Sequence, residues 1–120
     1  MKILYLEDNE DAVANFRRIT TFYKHHLLVA DSVKVGLSML DEHPNLVLAD
    51  MLLADGNAIT FTEVAREQYP ALPIIILTGY ANPGEREACF AAGCTDYFIK
   101  PIGVNTLIDL FRRYQENGIK

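Results

Sequence analysis

The sequence predicts an α/β fold: a five-stranded parallel sheet, doubly wound, with helices on both faces. Three observations carry that expectation. Five short apolar runs alternate with segments of helical periodicity. The runs are continuously apolar and rich in Ile, Val and Leu, which suits parallel strands covered on both sides. At 120 residues the chain holds five β–α units in one domain, whereas a closed (β/α)8 barrel needs about 250. Crossovers in such an open sheet are right-handed.

The first strand is expected at residues 3–6. A helix follows, with Val13, Phe16, Thr20 and Tyr23 on one stripe and Ala12 and Ile19 beside it. The second strand covers 26–29, and His25-His26 reads as its lead-in rather than as a ligand pair. Ser32 can cap a helix carrying Val33, Leu37 and Leu40, which stops near His43-Pro44. The third strand is 46–49, and Phe61, Val64 and Ala65 mark a helix ending before Pro70. The fourth is 74–77; Pro83 then opens a helix with Ala88, Phe90 and Ala92, and Gly93 fits its stop. The fifth is 97–99, followed by a helix marked by Val104, Leu107, Ile108, Phe111 and Tyr114. The polar tail 115–120 is expected to fray. No repeat, linker or low-complexity segment divides the chain, so 1–120 reads as a single domain.

Half the residues are hydrophobic and the formal net charge is −5. That balance argues against non-specific nucleic-acid binding and against an anionic membrane surface. No apolar run approaches the ~20 residues of a membrane span. The opening "MKILYLEDNE" has one Lys, a short apolar run and then acids, unlike a signal peptide. The expected setting is cytoplasmic. Cys89 and Cys94 match neither a C-x-x-C nor a zinc spacing, and read as reduced, mostly buried thiols. His25, His26 and His43 show no metal spacing.

Open parallel sheets place ligands at the carboxyl ends of their strands. Here the first strand ends in Glu7-Asp8, the third in Asp50, the fourth in Thr78-Gly79 and the fifth in Lys100-Pro101. The second ends in Ala30-Asp31-Ser32, which reads as helix entry and capping. Each residue alone has an ordinary role as turn, cap or surface lysine. Together they put three acids, a hydroxyl and a lysine on one edge. Two unit charges ~4 Å apart interact by about 4 kcal/mol at an effective dielectric of 20. Lys100 can neutralise only one carboxylate. A divalent cation relieves the rest, and oxygen-only ligands favour a hard ion such as Mg2+. A hydroxyl and an ammonium suit phosphoryl oxygens. Asp50 is therefore the candidate nucleophile of phosphoryl chemistry at a carboxylate. Other nucleotide and hydrolase folds lack their marks: there is no G-x-G-x-x-G, no P-loop and no G-x-S-x-G elbow.

In "ILYLEDNE", "LVLADMLLADG", "IIILTGY" and "AGCTDYFIKPI", in that order and at familiar distances, the chain resembles the receiver domain of bacterial two-component response regulators. The resemblance covers essentially the whole chain. It implies a flavodoxin-like sheet of strand order 2-1-3-4-5, similar to the chemotaxis response regulator fold. It implies Asp50 as phosphoacceptor, Asp8 as a direct metal ligand, Glu7 as an acid acting through water, and the Leu52 carbonyl as the backbone ligand. The cofactor implied is Mg2+ (or Mn2+). Thr78 matches the hydroxyl that moves to the phosphoryl group, Lys100 the lysine that pairs with it, and Tyr97 the aromatic switch. Lys100-Pro101 matches a peptide bond that is commonly cis.

The resemblance further implies transfer from a histidine kinase or phosphotransfer domain. The helix 4–strand 5–helix 5 face, with Arg86, Tyr97, Arg112 and Arg113, would signal to a downstream effector. The kinase would dock near Asp11, Ala14 and Asn15, and the domain would be a monomer or a phosphorylation-linked dimer. Such a domain is a signalling switch rather than an enzyme. Ala54 stands where the family often has Pro, and Ala58 where it often has a second Gly, so a loosened or redirected loop is expected around Asp55-Gly56. Leu52 and Tyr80 flank the acceptor and neither can orient a water, which predicts slow self-dephosphorylation. Two other readings are a pseudo-receiver without phosphoryl chemistry and a Mg2+-dependent phosphatase. The retained acids and lysine argue against the first, and Leu52 against the second.

Overall fold

The computed structural model describes residues 1–119, with side chains through Gln115. Five parallel strands, β1 (Lys2–Leu6), β2 (His26–Ala30), β3 (Leu46–Asp50), β4 (Ile74–Thr78) and β5 (Asp96–Ile99), pair in the order 2-1-3-4-5. The expected doubly wound sheet is thus observed. Each strand from β1 to β5 contains the apolar run that announced it. β3 and β4 each run one residue further, because Asp50 still pairs with Leu77, and Thr78 with Ile99.

Side chains alternate across the sheet and divide the core into two layers. Leu4, Leu6, Val47, Ala49, Ile74 and Ile76 share one layer with Val33, Phe61, Ala65 and Cys89. Ile3, Tyr5, Leu46, Leu48, Ile75 and Leu77 share the other with Phe16, Leu107, Leu110 and Phe111. Each fully buried large apolar side chain contributes roughly 1.5–3 kcal/mol relative to exposure. This double cover is why the strand interiors are apolar and polar residues stand at the strand ends.

The helices are α1 (Glu10–Phe22), α2 (Val33–Met39), α3 (Ala58–Gln68), α4 (Glu85–Ala92) and α5 (Val104–Ile119). Three begin on a side-chain cap: Asn9 accepts from the Ala12 N–H, Ser32 from Val35 and Asn57 from Thr60. A 3-10 turn, Leu40–Glu42, follows α2 and ends at His43, as the His43-Pro44 signal implied. α5 takes in most of the tail expected to fray; Lys120 and the side chains of 116–119 lie outside the described residues.

Helix 4 departs from expectation. It starts at Glu85, not Pro83, because residues 82–85 close a turn in which the Glu85 N–H donates to the Asn82 carbonyl at 3.0 Å. Gly84 holds φ +80° there, which ends any helical run through Pro83. Its buried residue is Cys89, while Ala88 and Phe90 are exposed. Tyr23 and Val64, placed on inner stripes by periodicity, are also largely exposed. Tyr23 caps the C-terminus of α1 rather than packing in it. Gly93 stops α4 at φ +108°, as expected.

The segment after β3 is an ordered two-residue hairpin, Leu52–Leu53 against Gly56–Asn57. Ala58 opens α3, is fully buried, and donates its N–H to the Met51 carbonyl at 3.0 Å. At the turn, the Asp55 carboxylate accepts from the Val33 and Lys34 N–H groups at 2.8 and 3.0 Å. Arg66 joins the ends of two helices: its guanidinium donates to the carbonyls of Gly93, Tyr69 and Leu72 at 2.6–2.9 Å. No helix among the described residues is long and apolar enough to cross a membrane.

Candidate functional site

The carboxyl ends of β1, β3, β4 and β5 bring Glu7, Asp8, Asp50, Thr78 and Lys100 to one edge. Lys100 is aimed there by its backbone, whose N–H donates to the Thr78 carbonyl at 2.7 Å, and the Lys100–Pro101 peptide bond is cis. Its ammonium lies 2.8 Å from both Glu7 Oε1 and Asp50 Oδ1. The ammonium bridges two carboxylates, but its single positive charge still offsets only one of the three negative charges on this edge.

Glu7 is only 3% exposed, and its oxygens are fully engaged. Oε2 accepts from the N–H groups of Asp8 and Asn9 at 3.1 and 3.2 Å, and Oε1 accepts from the Tyr5 hydroxyl at 3.3 Å. Asp50 is less encumbered: among the described residues its carboxylate contacts Lys100 alone. Burial pushes the Asp50 carboxyl up, Lys100 pulls it back, and the charges of Glu7 and Asp8 push it up again. Burial lowers the Lys100 ammonium, but its bonds to Asp50 and Glu7 outweigh that, and the net direction is upward. The Tyr5 phenol is pushed up by burial and by the neighbouring Glu7 charge.

Ligand atoms of Glu7, Asp8 and Asp50 lie within 4.8 Å of one another. Three carboxylates, one shared lysine and no imidazole or thiolate form a donor set that fits a hard divalent cation. Neither cysteine joins it. Cys89 and Cys94 are free and buried, and burial pushes the Cys94 thiol up to about 11.

Beside Asp50 a cleft of about 410 Å³ is bounded by Leu52, Thr78, Tyr80, Glu85 and Lys100. Leu52 and Tyr80 are 73% and 75% exposed at its mouth. The Thr78 hydroxyl donates to the Tyr80 carbonyl at 3.1 Å. Tyr97 is turned into the protein and only 6% exposed, and its hydroxyl donates to Glu85 Oε1 at 2.6 Å. Glu85 and Tyr5 were not singled out from the sequence. Glu85 reads there as an ordinary first-turn acid; Tyr5 gives a weak sign, since a buried phenol needs an acceptor.

Comparison with known proteins places this geometry. The family model described as the response regulator receiver domain matches residues 3–112. Over 118 residues the chain is 29% identical to the polar-differentiation response regulator DivK of Brucella ovis, covering 93% of this chain and 94% of DivK. It is 27% identical to the photosynthetic apparatus regulatory protein RegA of Rhodobacter capsulatus, covering 88% of this chain but 58% of RegA. Against the "DNA-binding transcriptional regulator NtrC" of Proteus hauseri it spans only 15% of the relative. A CheY-like receiver domain from Methanospirillum hungatei superposes with a TM-score of 0.89 at 25% identity, covering 96% of this chain and 94% of that one. The match runs from β1 into α5 and includes every strand end that contributes to the acidic edge, so this chain belongs to the response regulator receiver domains of two-component systems.

Proposed function

We propose that residues 1–120 act as one receiver domain in which Asp50 accepts a phosphoryl group from a phosphohistidine. The donor is a histidine kinase or a histidine phosphotransfer domain, and the setting is the cytoplasm. The observation that carries this reading is the Asp50 carboxylate itself. It stands at the end of the central strand, paired among the described residues only with Lys100, while its neighbour Glu7 is saturated with hydrogen bonds.

In the transfer, a P–O bond forms at Asp50 as the P–N bond of the donor breaks, and the imidazole nitrogen keeps the electron pair. Catalysis here is positioning and charge balance rather than proton chemistry. Asp8, Asp50 and the Leu52 carbonyl would hold Mg2+ (or Mn2+) directly and Glu7 through water, and the ion would supply positive charge against the phosphoryl oxygens. Lys100 gives up one of its two carboxylate contacts to bond a phosphoryl oxygen. Thr78 exchanges the Tyr80 carbonyl for another such oxygen. That exchange biases a two-state element built from Thr78, Tyr97 and the face of α4, β5 and α5, where Arg86, Arg112 and Arg113 are exposed. The donor docks beside exposed Asp11, Ala14 and Asn15. The chain is a switch and not a turnover enzyme, and it sheds the phosphoryl group slowly.

Incubation with Mg2+ and beryllofluoride or acetyl phosphate tests the reading. A stoichiometric adduct is expected on the wild-type chain and none on Asp50→Asn. Phosphate release without an adduct, or an adduct that survives in Asp50→Asn, would overturn it.

A further inference from the structure

Tyr97 has one hydroxyl proton, and it goes to Glu85. A bond to a carboxylate is charge-assisted and about twice as strong as a neutral one. Glu85 sits in the first turn of α4, where the helix dipole favours a carboxylate. No cation pairs with it among the described residues, and its other oxygen meets only Asn82 Nδ2 at 3.4 Å. The Arg86 guanidinium lies 4.9 Å from the Phe90 ring centroid and 6.0 Å from that of Tyr97, so Arg86 lies over both rings. The Thr78 proton, meanwhile, goes to the Tyr80 carbonyl. The Tyr97 proton is thus committed to α4, while Thr78 lies beside the same hydroxyl with its own proton on the Tyr80 carbonyl.

We infer that Glu85 is a positioning residue of the switch: its carboxylate latches Tyr97 in the buried position, so the ring stays inward whether or not Asp50 is modified. The inference rests on the proposed roles of Asp50, Thr78 and Tyr97. In this protein the element that responds to Asp50 is then the first turn of α4 with the ring attached, rather than a ring that turns by itself. Burial and the bond to Glu85 together push the Tyr97 phenol upward, in line with a proton held tightly between the two.

The test is ring exposure in the full chain, carrying ring-13C tyrosine and assigned with Tyr97→Phe. Broadening by a soluble gadolinium chelate is measured before and after Mg2+ and beryllofluoride. Adduct formation is followed separately on the backbone amides of Asp50 and Thr78. In the wild type the Tyr97 ring is expected to stay protected in both states. In Glu85→Ala the ratio of inward to outward ring should fall on the order of tenfold, and the adduct should then restore protection. Glu85→Gln, which keeps an acceptor oxygen, should recover most of the protection; a purely structural effect of losing the charge would not be rescued. The inference is overturned if the ring is equally protected in wild type and Glu85→Ala, or if the wild-type ring is exposed until the adduct forms. A wild type whose Asp50 and Thr78 amides ignore beryllofluoride refutes the phosphoacceptor reading instead, and the comparison of the free proteins still decides the latch.

Discussion

At the scale of single residues, the site separates one carboxylate that is spent, Glu7, from one that is held in place but available, Asp50. Glu7 accepts from two backbone N–H groups, a phenol and an ammonium, and is the rigid anchor of the edge. Asp50 accepts from Lys100 only, among the described residues, and keeps lone pairs for reaction. Of the two exposed side chains at the mouth, Leu52 offers an attacking water nothing to bond to, and Tyr80 offers a neutral phenol in place of a carboxylate or amide. Leu52→Asn combined with Tyr80→Glu should therefore speed loss of the phosphoryl group. The expected gain is on the order of ten- to a hundred-fold, at or below the usual contribution of a positioned acid–base group. Decay of the phosphorylated chain after removal of the donor measures it, and an unchanged half-life would refute the role given to these side chains. The anchoring residues were legible in the sequence because each interrupts an apolar run that otherwise has no polar member. Glu85 was not, because its partner Tyr97 lies 12 residues away and the bond exists only once α4 packs beside β5.

At the scale of elements, the joints rather than the bodies decide how well the site is held. Strands were legible nearly to the residue, since burial on both faces leaves a simple apolar signature. The start of α4 was not, because the Asn82–Glu85 turn and the positive φ of Gly84 displace a helix that Pro83 could have opened. Two joints lie next to the site. In α2, a Cβ at Gly36 would come within 2.6 Å of Leu6 Cδ2 and 2.9 Å of its Cγ, and Leu6 directly precedes Glu7. Gly36→Ala gains about 1 kcal/mol of helix propensity but overpacks a closed core at a cost of about 1–3 kcal/mol. A net loss of stability in urea unfolding is expected, together with weaker Mg2+ binding as Leu6 displaces the strand end.

The second joint is Asp55, which ties the hairpin after Asp50 to the start of α2. Those two backbone N–H groups hold its carboxyl below its ordinary value of 3.8. A group depressed in the folded state stabilises it above its ordinary value, and that contribution is lost as pH falls through the lowered one. Asp55→Ala should thus be less stable than wild type at neutral pH. The gap should close on acidification through the Asp range, as read from thermal midpoints across an acid series. A gap that stayed constant with pH would mean that the carboxylate charge is not what ties the joint.

At the scale of the whole molecule, the parallel sheet gathers on one edge charges that are scattered through the sequence from 7 to 100. The order 2-1-3-4-5 puts β3 in the middle and flanks Asp50 with strand ends on both sides. Three carboxylates against one lysine make the folded chain gain stability from a cation that the unfolded chain binds poorly. With Mg2+ at about 100 times its dissociation constant the gain is about 2.7 kcal/mol, or roughly 10 °C in a chain of this size. Thermal melts with Mg2+ and with chelator should show that difference in the wild type and lose most of it in Asp8→Asn.

The Arg66 clamp bears on how α4 is held in the molecule. Its guanidinium pins the trailing end of α4, through the Gly93 carbonyl, to the loop that leaves α3. The leading end of α4 begins after a glycine and meets Tyr97 through Glu85 and Arg86. Arg66 therefore fixes the trailing end of α4, and the Glu85–Tyr97 bond holds its leading end against β5. A change beside Asp50 would then reach α4 at its leading end, where Glu85 and the exposed Arg86 stand, and not at the end that Arg66 holds.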